Sequence, residues 1–123
     1  MKTIKIIVTV LAIALSFNTY AQKKAKTIKL EQTPGVFTQK TLELKPGKYV
    51  FQVSNKNIDH EVAFALAPKK ETIGDGDYIQ EAFLANPISS GKSAKSKEVI
   101  LKKGTYVYFC PMNPTPQYTL VVK

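Results

Sequence analysis

Hydrophobic positions recur at every second residue through most of this chain, the period of a half-buried strand. Ile28 and Leu30 share one parity between Thr27 and Glu31, and Gln32-Thr-Pro-Gly35 then supplies turn residues. Val36 to Leu44 reads as extended and enters the alternation at Leu42 and Leu44. Lys45-Pro-Gly-Lys48 predicts a tight turn, because proline presets the first bend and glycine accepts positive φ. Tyr49, Phe51 and Val53 alternate beyond it, so Leu42 to Val53 is predicted as a hairpin. Ser54-Asn-Lys-Asn57 is a polar loop. His60, Val62, Phe64 and Leu66 share one parity again, which predicts a strand with His60 at the inner end of a core face.

Pro68 and a charged loop close that strand. Gly74-Asp-Gly-Asp77 lacks the repeated oxygen ligands and terminal glutamate of a calcium loop. It reads as a turn and N-cap ahead of a short helix over Tyr78 to Leu84, which ends before Pro87. Ser89 to Ser96 is a flexible loop, and Lys97 to Lys102 is a strand with Val99 and Leu101 inward. Lys103-Gly104 turns the chain into Thr105 to Cys110, and Tyr118 to Val122 is the last strand. About seven strands at this spacing, with turn residues between them, predict an all-β antiparallel sandwich with Greek-key connections and one short helix.

The stretch that carries chemistry is Thr105-Tyr-Val-Tyr-Phe-Cys110-Pro-Met-Asn-Pro-Thr-Pro-Gln-Tyr118. Its first half is a strand, and three prolines stop its second half from continuing as one. The only cysteine therefore sits where a strand ends and a stiff loop begins, and the natural companion for it is His60, the only histidine.

The start of the chain belongs to a different regime. A short basic segment, Met1 to Lys5, precedes an apolar run from Ile6 to Phe17. Small residues before Gln22 then predict a secretory signal peptide over residues 1–21, leaving one domain over residues 22–123. The run is too short for a comfortable membrane span, although an uncleaved N-terminal anchor is the alternative. The expected location is exported, periplasmic or secreted. An unpaired thiol there is buried, metal-bound, reactive or joined to another molecule.

Charge narrows the partners. The formal charge is +9, from eighteen basic residues against nine acidic ones, and every basic residue is lysine. The absence of arginine argues against nucleic-acid recognition. Lys92, Lys95, Lys97, Lys102 and Lys103 lie close in sequence. They form either a patch for an acidic partner or a solvated edge that discourages strand-to-strand aggregation.

Two segments resemble the cupredoxins, the small copper proteins related to plastocyanin. Asn55-Lys-Asn-Ile-Asp-His60-Glu-Val is similar to the segment carrying their first histidine. Leu101-Lys-Lys-Gly-Thr-Tyr-Val-Tyr-Phe-Cys110-Pro is similar to their run into the copper thiolate. The resemblance spans roughly Thr27 to Lys123 and implies a cupredoxin-type sandwich, with His60 and Cys110 as metal ligands. It also implies a second histidine after the cysteine and a weak axial methionine or glutamine. Here the chain departs, because Asn113 stands at the position of the missing histidine. Met112 is the candidate sulfur donor and Gln117 the candidate axial oxygen. Copper(I) tolerates such a set better than copper(II) does.

The leading expectation is thus an exported cupredoxin-like protein with one copper, acting in electron transfer or copper handling. Its partner would be an acidic redox or copper-handling protein. The alternative is a metal-free interaction or accessory domain that kept the sandwich and lost the site. An enzyme with Cys110 as nucleophile and His60 as base is a third reading, against which stands the lack of an orienting residue or substrate cleft.

Overall fold

The computed structural model describes residues 24–113 and 115–123. The expected signal peptide lies outside the described residues, as does Pro114. The strands are β1 (Lys26–Thr33), β2 (Val36–Phe37), β3 (Thr41–Leu44), β4 (Gly47–Asn55), β5 (Ala65–Pro68), β6 (Ser93–Lys95), β7 (Val99–Leu101), β8 (Gly104–Phe109) and β9 (Tyr118–Val122). They form two sheets, one ordered β2-β1-β4-β6 with β7 also on β4, the other ordered β3-β9-β8-β5.

Alternation sets the inner faces. In β4, Tyr49, Phe51, Val53 and Asn55 are buried while Val50, Gln52 and Ser54 are less so, as a pleat requires. In β9, Tyr118, Leu120 and Val122 turn inward. Between the sheets lies an aromatic cluster centred on Phe37, whose ring is 5.3 Å from Tyr108 and 5.6 Å from Tyr118, both edge-on. Phe64 stacks at a tilt on Phe51 at 5.3 Å. Edge-to-face and offset pairs of this kind add to the gain from burial itself.

The sandwich is as expected, but several local expectations are corrected. Leu42 to Val53 is not a hairpin: β3 runs parallel to β9 in one sheet, and β4 runs parallel to β1 in the other. Lys45-Pro46 is therefore a crossing between sheets, and the topology is mixed rather than purely antiparallel. The reason is non-local pairing. Leu42 and Leu44 register with Leu120 and Val122, and the local turn signal carries no trace of that partner. The helix expected over Tyr78 to Leu84 is instead two short 3₁₀ turns, Asp75–Asp77 and Gln80–Ala82. The loop expected over Ser89 to Ser96 contains β6, which pairs with β4.

Candidate functional site

Cys110 follows directly on β8, whose pairing to β9 and β5 fixes the strand on both sides. The side chain is 3 % exposed and belongs to the core. Its sulfur accepts two backbone hydrogen bonds, from Asn113 N at 3.0 Å and from Ala63 N at 3.4 Å. The Cys110 N–H donates to Thr115 Oγ1 at 3.1 Å, which folds the proline-rich loop back over the strand end.

Asn113 is the centre of this arrangement. It is 3 % exposed. Its Oδ1 accepts from Gly35 N at 3.1 Å, and its Nδ2 donates to Thr33 O at 3.1 Å and to Gln32 Oε1 at 3.4 Å. Gly35 has φ of 77°, a left-handed conformation that glycine adopts freely and that aims its N–H at the loop. Gln32, fully buried, uses its Nε2 to donate to Ala63 O at 2.7 Å. The bonds close a ring: Ala63 to Cys110, Asn113 to Cys110, Asn113 to Gln32, Gln32 to Ala63. Among the described residues no buried side-chain nitrogen or oxygen is left without a partner. A closed buried network of this kind rigidifies the segments it joins.

Gln32 and Ala63 were not singled out from the sequence. The signal for Gln32 was present, because it continues the inward parity of Ile28 and Leu30. Its place before Thr-Pro-Gly reads instead as the start of a turn.

His60 is placed differently from expectation. It lies in a bend before β5, not on a strand, and it is exposed. The strand begins only at Ala65, since Asn57 takes a left-handed φ of 63° and the chain bends through Asp59 and His60. Buried Asn55 holds the bend, donating from Nδ2 to His60 O and Ile88 O and accepting from Ile58 N, each at 3.0 Å. The imidazole Nδ1 lies 2.9 Å from the carbonyl oxygen of Glu61. Met112 is 47 % exposed, and Gln117 is also exposed. The structure thus buries Cys110 and Asn113 together and leaves His60, Met112 and Gln117 on the outside.

These residues do not fit a blue-copper centre. Such a centre takes two imidazoles, one thiolate and a weak axial ligand. The chain has one histidine. Asn113, at the position where the resemblance calls for the second, has both amide atoms engaged in β1 and its following turn. Among the described residues no group of three or more His, Cys, Asp or Glu side chains gathers to hold a metal.

No protein-family profile matches the sequence, and no curated protein sequence matches it either. Solved structures do match. Auracyanin A, a "blue" copper protein from Chloroflexus aurantiacus, superposes with a TM-score of 0.65 at 17% identity, over 81% of this chain and 100% of its own. Azurin from Methylomonas sp. strain J gives 0.57 at 16% identity, over 81% and 99%. Amicyanin from Paracoccus versutus gives 0.53 at 17% identity, over 84% and 87%. The chain therefore has the cupredoxin fold. At these identities the likeness is one of architecture, and the function has to be argued from the site.

Proposed function

We propose that this chain is an exported cupredoxin-fold interaction or accessory domain whose former ligand loop is closed by hydrogen bonds instead of by a metal. One observation carries the reading. Asn113 is buried with its side-chain carbonyl and amide both engaged, tying the loop after Cys110 to Gln32, Thr33 and Gly35. A metal in such a loop ordinarily supplies the cross-link between the strand end and the neighbouring sheet. Here amide hydrogen bonds supply it. Export rests on the apolar run from Ile6 to Phe17 and the small residues that follow it. No catalytic role is proposed: the thiol is buried, and the one imidazole is turned outward against Glu61 O.

An anaerobic copper titration of the purified domain tests this, with Cys110→Ser as the control. The expected outcome is no stoichiometric copper retained after desalting, no intense thiolate-to-copper band, and a melting temperature unchanged by a chelator. A strong visible band that vanishes in Cys110→Ser would overturn the reading and restore the copper carrier, with Met112 and His60 as the remaining candidate ligands.

A further inference from the structure

Beside the Cys110 loop, the segment between β5 and β6 leaves an apolar furrow on the surface. Tyr78, Phe83, Leu84, Pro87 and Pro111 line one depression of about 300 Å³. Phe83 and Leu84 are shared with a second, of about 510 Å³, whose far wall carries Lys95 and Lys97. Phe83 and Leu84 border both depressions, so an apolar surface toward Pro111 and a cationic one toward β6 adjoin at these two side chains, and together they make up the groove. Phe83 is 45 % exposed, a large apolar side chain held at the surface with its ring edge-on to Tyr78 at 6.3 Å. Tyr78 is in turn braced by Phe109 at 5.6 Å, so the aromatic wall is fixed from β8. On the other side, Leu84 bridges to Ser96 and Ala85 N donates to Lys95 O, which anchors the segment to the end of β6.

We infer that this groove docks an acidic, extended segment of a partner protein, with an apolar side chain seated against Phe83 and Leu84 and carboxylates against Lys95 and Lys97. The inference rests on the reading of the chain as an interaction module and names its surface. Three observations select the occupant. Both depressions are shallow and open to solvent, which suits a chain lying across them better than a small ligand that needs enclosure. Lys95 and Lys97 are exposed and form no ion pair among the described residues, so their charge is free for a partner. Glu81 and Glu98 open into a different depression, with Ile79, Val99 and Ile100, and do not line this one. A second copy of the chain is disfavoured, because each copy carries the same large excess of lysine over acidic residues, which opposes self-association.

The test uses the isotope-labelled domain and a blocked peptide that alternates phenylalanine with glutamate. Its matched control carries lysine in place of glutamate. The expected result is saturable amide shifts confined to Phe83, Leu84, Lys95 and Lys97, weakened by salt and absent with the lysine peptide. Lys95→Glu with Lys97→Glu should weaken binding about tenfold or more. Lys102→Glu with Lys103→Glu, outside the groove, should change it far less. Phe83→Ser tests the apolar half at an exposed position, with its fold checked by an unchanged spectrum elsewhere. Shifts at another face, equal binding of the lysine peptide, or a concentration-dependent dimer using the same residues would each overturn the inference. None of these depends on copper: a positive copper titration with peptide binding intact would overturn the functional reading alone, and a negative copper titration with no peptide binding would overturn the groove alone.

Discussion

Asn113 shows how one side chain can replace a cross-link. Removing its amide in Asn113→Ala would leave Gly35 N and Gln32 Oε1 without their partner in a buried setting. The expected cost is roughly 2–4 kcal/mol, read from denaturant or thermal unfolding. Asn113→Asp should be at least as costly despite its shape, because a carboxylate would face Thr33 O and Gln32 Oε1 with no hydrogen to give. Little loss in either variant would show that the ring does not hold the loop. Tyr108 gives a second residue-level expectation. It donates to Gln39 O at 2.6 Å, and burial, with the Tyr118 phenol beside it, pushes its own phenol from 10.0 up to about 12. The unfolded chain gives up that proton near pH 10 while the folded one keeps it. The stabilisation is therefore complete below pH 10 and is lost as pH rises toward 12. Phenolate absorbance should show the Tyr108 phenol titrating late, together with falling stability across that window.

At the scale of the element, local pattern and long-range partner separate cleanly. The burial alternation of β4 and β9 was legible, because period-2 patterning is a property of each strand alone. The partners were not. β1 pairs with β4 and β3 with β9, both parallel and far apart in sequence, and nothing in the turn residues between β3 and β4 encodes that. β6 was hidden for a related reason. Its Ser93-Ala-Lys95 has no apolar signal, and it is held by backbone pairing to β4. The adjoining Ser96 clips the bend that follows: its Oγ accepts from Phe51 N at 2.9 Å and donates to Lys97 O at 2.7 Å. The site was half legible. Cys110 stands out where a strand ends and a stiff loop begins, and Asn113 only as the position where the resemblance calls for a second histidine. His60 did not follow its parity, because alternation was extended across a bend that Asn57 and Asn55 enforce. Gln32 was missed because a polar residue before Thr-Pro-Gly looks like a turn and not like the floor of a core.

For the whole molecule, charge is the quantity the fold leaves unbalanced. Three ion pairs occur among the described residues, Lys48 with Glu98, Lys70 with Asp77 and Lys123 with Glu43, and all lie at the surface. Pairs of that kind contribute little, about 0–1 kcal/mol each, and salt weakens them. Against them stands the repulsion among the remaining lysines of a chain carrying +9, which folding brings closer together. Salt screens both, since the Debye length falls to roughly 8 Å at physiological ionic strength. Many weak repulsions are screened over longer distances than a few short contacts, so the repulsive sum should lose more. The melting temperature is therefore expected to rise modestly from low to physiological ionic strength, measured in a chloride salt to avoid specific anion effects. A fall over the same range would mean that the surface pairs outweigh the excess of lysine. Weaker peptide binding alongside that rise would assign the same positive field two opposite consequences, a burden on folding and an attraction for an acidic partner.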